Sequence, residues 1–181
     1  VRNASDFKDI EGHWAKGDIT DMYLKGFVSG KADGIFDPDS YITRAEFCQI
    51  LFMMSGGVAA GEEGFKDVSD SDWYKNAVTW AVTNGITKGM SEDEFAPNER
   101  ITREQMAVMI YRYATKLGLG WEIENSAEFS DSTEISDYAQ YQISWASEKG
   151  IVKGYPDNAF RPKNNATRAE AVTMLQRLLS I

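Results

Sequence analysis

A chain of 181 residues that is 43% apolar and 12% aromatic has the material for a packed core and too many rings for a disordered tail. Its formal charge of -9 and pI near 4.7 repel polyanions, which argues against nucleic acid as a partner. A single cysteine, Cys48, excludes an internal disulfide, and no apolar run reaches membrane-spanning length, so no membrane insertion is expected.

Val1 opens without a charged-then-apolar leader and reads as a mature or trimmed start. The first marker along the chain is Phe7-Lys8-Asp9, followed by an aromatic at Trp14. A helix is expected to open near His13 and to stop at Gly26, where glycine can take the left-handed C′ conformation with Phe27 at C″. The turn-rich stretch from Lys31 to Phe36, then Pro38, is a folded loop rather than a linker. Thr43-x-x-Glu46 is a capping box that opens a second helix, whose apolar face runs Phe47, Ile50, Leu51, Met54. Cys48 lies beside that stripe and reads as a small core residue.

The same order then returns twice. Phe65-Lys66-Asp67 leads to Trp73, Gly85, Gly89, Phe95, Pro97 and the capping box Thr102-x-x-Gln105. Phe129-Ser130-Asp131 leads to Tyr138, Gly150, Gly154, Phe160, Pro162 and Thr167-x-x-Glu170. Asp72 and Asp137 are expected N-caps of the first helices in these copies. The second helices carry matching stripes, Met106, Met109, Ile110, Tyr113 and Ala171, Met174, Leu175, Leu178. Each first glycine stands 18 residues before its arginine (Gly26 to Arg44, Gly85 to Arg103, Gly150 to Arg168), a register that marks a true repeat.

The repeats are bounded at 5–56, 63–118 and 127–181, with connectors at 56–64 and 116–128. A single helix pair cannot bury its own stripe. The expected fold is therefore all-α: one domain over 1–181, with three helix-loop-helix repeats in pseudo-three-fold symmetry around a central three-helix bundle of the second helices.

The residues offer no active site and require no cofactor. His13 occupies the slot of Asp72 and Asp137, which suits helix initiation, and no carboxylate pair recurs as in a glycosidase. The run Asp33 to Asp39 is rich in oxygen ligands but fails the spacing of a calcium loop, so turns are expected there and no metal.

Arg44, Arg103 and Arg168 are the exception. Each stands at N1, where the helix dipole disfavours a cation, and a helix selected for stability alone would not repeat that choice three times. One reading joins each guanidinium to the unpaired amides of the helix start as a carboxylate pocket. The other pairs each arginine with an acid of its own loop, Asp33, Asp93 or Asp157. Under the first, Arg168→Ala weakens binding and leaves the thermal midpoint nearly unchanged. Gly30, Gly89 and Gly154 would let a ligand approach the backbone, Lys88 and Lys153 would add charge, and Trp80 and Trp145 would offer ring faces to a sugar. The first copy has Ser29 and Asp21 at the lysine and tryptophan positions, so the groove it feeds is expected to be weaker.

With Thr43-Arg44-Ala45-Glu46, Thr167-Arg168-Ala169-Glu170 and the stretch Gly150 to Pro162, the chain resembles the S-layer homology family in three tandem copies. The second copy departs to Thr102-Arg103-Glu104-Gln105. The resemblance implies a pseudo-trimeric, secreted bacterial module whose inter-module grooves bind an anionic secondary cell-wall polysaccharide. It further implies that the motif arginine meets the carboxylate of a terminal pyruvate-ketal N-acetylmannosamine. Protein neighbours in a surface lattice are the second class of partner to weigh.

Overall fold

The computed structural model describes residues 1–3, 6–120 and 122–181. The repeat boundary at residue 5 and Trp121 in the second connector lie outside the described residues. Among the described residues six α-helices form: α1 (Lys16–Leu24), α2 (Arg44–Met54), α3 (Lys75–Thr83), α4 (Arg103–Lys116), α5 (Asp137–Glu148) and α6 (Arg168–Leu178). Among the described residues there is no strand longer than an isolated bridge, so the fold class is all-α.

The local signals explain most helix ends. Thr43, Thr102 and Thr167 each accept the N3 amide while Glu46, Gln105 and Glu170 reach back to the N-cap amide, three complete capping boxes. Gly26, Gly85 and Gly150 have φ of 84°, 69° and 71°. The following amides of Phe27, Ile86 and Ile151 bond back to Met22, Ala81 and Ala146, which completes three Schellman endings.

The first-helix starts differ from expectation. α1 and α3 begin at Lys16 and Lys75 without a side-chain cap, and Asp137 is the first residue of α5, after Ser136. Asp72 instead closes a tight turn by accepting the Ser69 amide, and the His13 Nδ1 accepts the Ala15 amide one turn ahead of α1. These residues order the approach to the helix rather than its first turn.

The two helices of a repeat are not the main packing partners. α2 pairs with α3 of the second copy, α4 with α5 of the third, and α6 returns to α1 of the first, while α4 and α6 also touch. The interlock continues in the backbone. The Ile42 amide bonds to Ala166, the Ala166 amide to Ile101 and the Ile101 amide to Ile42, at 3.0, 2.9 and 3.2 Å, a closed ring of three bonds, one from each repeat.

One continuous core fills the space between the interlocked copies. The stripe residues of α2, α4 and α6 are buried in it, apart from the half-buried Met54. Cys48 is fully buried and burial pushes its thiol up to about 12, which makes it a packing residue and a poor nucleophile.

Asp9, Asp67 and Asp131 order the loops. Each carboxylate accepts two successive amides, of Phe36 and Asp37, Phe95 and Ala96, and Phe160 and Arg161. The second residue of each pair sits in the left-handed region, with φ of 61°, 59° and 58°. The aspartate therefore holds a bend that non-glycine residues rarely adopt.

Candidate functional site

Three junctions between repeats collect the residues singled out from the sequence. At each, the motif arginine crosses to the next copy. Arg44 Nε donates to the Phe95 carbonyl at 3.0 Å and Nη2 to that of Lys88 at 2.8 Å. Arg168 does the same to Phe36 and Ser29, at 3.0 and 2.9 Å. Arg103 Nε donates to Phe160 at 2.8 Å, while its Nη1 meets the Glu170 carboxylate at 3.1 Å. Each guanidinium also lies 4.5 to 4.9 Å over the ring of that same phenylalanine.

These contacts answer which copies pair and correct both sequence readings of the arginines. The acids of the home loop are not their partners. Asp93 pairs with Lys66 and Asp157 with Arg161. The helix-start amides are not vacant either. The N1 and N2 amides of α2 bond to Glu99 and Pro97, those of α4 to Asn164 and Pro162, and those of α6 to Ser40 and Pro38. With the N3 amide taken by threonine, the orphan donors of each helix start are spent on the neighbouring copy. The arginines themselves are 3 to 6% exposed, and burial pushes Arg44 and Arg168 below the usual arginine value. Their first task is to fasten one repeat to the next.

Trp80 and Trp145 are likewise corrected. Both indoles lie in the core, Trp80 against Phe52 and Tyr113 and Trp145 against Tyr111, so neither has a free face for a sugar. The glycine positions have an internal cause as well. A Cβ at Gly30 would lie 2.5 Å from Phe7, and one at Gly89 would lie 2.3 Å from Phe65, because the marker phenylalanine packs there. Gly154 is less tightly enclosed, with Asn158 at 3.2 Å. Lys88 and Lys153 are exposed, and so is Ser29, which stands at their position in the first copy.

Among the exposed rings are the repeat-marking aromatics, two of them just ahead of a first helix and the third in the first turn of α5. Trp14, Trp73 and Tyr138 are 64, 63 and 53% exposed. Trp14 lines a cavity of about 160 Å³ with Arg103, Lys153, Gly154 and Glu170. Trp73 lines one of about 600 Å³ with Arg168, Ser29, Gly30 and Glu46. Each groove thus takes its arginine, its glycine loop and its ring from three different repeats. Tyr138, their equivalent in the third copy, lies near Arg112 with its hydroxyl on Glu104 at 3.1 Å. The signal was present in the sequence as a large ring outside every apolar stripe, three times in register.

The grooves differ in charge. In the Arg103 and Arg168 grooves the capping-box residue of the facing helix is a glutamate, Glu170 or Glu46, within 3.1 and 3.7 Å of the guanidinium. At the Arg44 junction that position is the neutral Gln105. Glu46 is further neutralised by an ion pair with Lys31, and Glu170 accepts the Tyr155 hydroxyl at 2.6 Å.

Fold and contacts together define a module built from three interlocked repeats, each tied to the next by its motif arginine. The S-layer homology domain model matches residues 6–48, 64–107 and 128–172, and the chain belongs to that family. It is 38% identical over 96% of its length to an amylopullulanase of Thermoanaerobacterium thermosulfurigenes. It is 36% identical over 99% to the exoglucanase XynX and 34% identical over 84% to a cellulosome-anchoring protein, both of Acetivibrio thermocellus. The chain spans 9, 17 and 35% of the lengths of these three relatives.

Proposed function

We propose that this chain is a non-catalytic anchor that holds a bacterial protein to the cell wall by binding an anionic wall polysaccharide in its junction grooves. It works outside the cell, at the wall or S-layer, as befits a family that recurs in an exoglucanase and in a cellulosome-anchoring protein. The observation that carries the reading is the recurrence, in two grooves, of an exposed aromatic ring beside a buried guanidinium on an acidic chain. The ring suits a sugar face, and the cations suit a carboxylate that the net field would otherwise repel.

The ligand group proposed is a terminal N-acetylmannosamine carrying a pyruvate ketal. Its carboxylate would meet the guanidinium nitrogens left over from the loop carbonyls, together with Lys88 or Lys153. Two grooves engaged on one polymer would add avidity to modest single-site affinity. Calorimetric titration with wall polymer, before and after mild acid removal of pyruvate, tests this. Binding lost with the pyruvate supports the carboxylate reading, heat retained without it overturns that reading, and no heat from either preparation overturns the anchor.

The internal bonding of the arginines favours a second reading, a structural module contacting protein neighbours in a surface lattice. Sedimentation of the chain with and without polymer separates the two, because a lattice module self-associates without sugar.

A further inference from the structure

We propose that Arg2, from outside the repeats, is the specificity cation of the Arg168 groove and replaces the lysine that the first copy lacks at Ser29. The inference rests on the reading of the grooves as sites for a carboxylate-bearing sugar. Ser29 aligns with Lys88 and Lys153, which left this groove the expected weak one. Yet its cavity is about 600 Å³ against about 160 Å³ at Arg103, and only the larger has the size usual for a small-molecule pocket.

The charge balance points the same way. The Arg103 cavity is lined by three cations, Arg103, Lys153 and Arg177, against one carboxylate, Glu170. The Arg168 cavity is lined by Arg168, Lys31 and Arg2 against Glu46. Lys31 is committed to Glu46, so without Arg2 the groove would hold one uncompensated cation, the partly engaged Arg168. With Arg2 the two grooves carry the same balance, reached from different parts of the sequence.

Arg2 is also held in place. Its Nη1 donates to the carbonyls of Tyr23 and Val28, and its guanidinium lies 4.6 Å over the Tyr23 ring. Its Nε and Nη2 have no partner among the described residues. A guanidinium fixed by one nitrogen loses little freedom when the others meet a carboxylate.

The test follows the indole N–H resonances of Trp73 and Trp14, which report the Arg168 and Arg103 grooves separately in one molecule. The probes are the methyl glycoside of N-acetylmannosamine bearing the pyruvate ketal, and the methyl ester of that ketal. Arg2→Gln is expected to weaken the acid at Trp73 by about tenfold, the scale of one charge-assisted hydrogen bond, and to leave Trp14 unmoved. The ester should lose little, and Arg2→Lys should keep most of the acid's advantage. An unchanged Trp73 titration in Arg2→Gln overturns the proposal, as does an equal loss for acid and ester, which would mark a structural role. If neither indole responds in the unaltered chain, the carboxylate-sugar reading itself fails, and this inference with it.

Discussion

Gln176 on α6 donates its side-chain amide to the carboxylate of Asp21 on α1 at 3.3 Å. At the equivalent positions of the other two seams stand Phe52 with Trp80 and Tyr111 with Trp145, ring centroids 6.0 and 5.3 Å apart. Two junctions of the ring are therefore closed by aromatic pairs, buried in one and half-buried at Tyr111 in the other, and the third by an exposed polar contact. Aromatic pairs contribute about 0.5–1.5 kcal/mol beyond their buried area, whereas an exposed hydrogen bond between side chains contributes little net.

The α1–α6 seam should open first. Amides of α1 are expected to exchange hydrogen faster than those of α3 and α5. Asp21→Trp with Gln176→Tyr should raise unfolding stability by about 1–2 kcal/mol in urea. A double variant no more stable than its parent would show that the seam is not limiting.

Arg168→Ala is expected to destabilise the fold by about 2–4 kcal/mol, because it leaves the carbonyls of Phe36 and Ser29 without their donor and strips the Phe36 ring of its cation. That reverses the expectation drawn from the sequence, which left the thermal midpoint nearly unmoved. Arg168→Lys should recover little, since an ammonium cannot reproduce the fork or the stacking. Urea midpoints for both variants check this, and a full rescue by lysine would reduce the site to simple charge.

What the sequence made legible was everything governed by nearest neighbours along the chain. The capping boxes at Thr43, Thr102 and Thr167 and the glycine endings at Gly26, Gly85 and Gly150 need only a few adjacent residues to act, and all formed. What it hid was the pairing between copies. Three equivalent helices can close within a repeat or across repeats with identical local patterns. Only the cross-repeat closure puts Trp80 against Phe52 and sends the N1 amide of α2 to Glu99. The same ambiguity concealed the burial of the arginines and the exposure of Trp14 and Trp73.

Ala96 occupies the left-handed region at φ 59°, held there by Asp67, which accepts the amides of Phe95 and Ala96 at 2.8 and 2.7 Å. Ala96→Gly should therefore stabilise by up to about 1 kcal/mol, since glycine takes that conformation without penalty. Asp67→Ala should destabilise by about 2–3 kcal/mol by leaving two amides unpaired. Thermal midpoints of the two variants should move in opposite directions, and a drop for Ala96→Gly would refute the assignment of strain.

Glu104 is where the second copy breaks the Thr-Arg-Ala-Glu motif, and the residue is buried at 3% exposure. Its carboxylate accepts the Ser136 amide at 3.0 Å, the Ser136 hydroxyl at 2.9 Å, the Tyr138 hydroxyl, and Lys163 Nζ at 2.6 Å. Burial pushes this carboxyl up, but the bonds from Lys163 and Ser136 win and hold it below the usual carboxylate range. A group whose native pKa is depressed binds its proton more readily in the unfolded chain. Its contribution is therefore fully present above the unfolded value of about 4.3 and is lost as pH falls through the lower native one. Glu104→Gln should be less stable than its parent at neutral pH, and the gap should close in acid. Urea unfolding of both proteins between pH 7 and about pH 3, a window set by that unfolded value, reads the gap directly. A difference constant across the range would mean that Glu104 acts by shape and not by charge. Ala45 and Ala169 hold the matching positions in the other copies, so this acid-sensitive tie belongs to the junction of the second and third repeats.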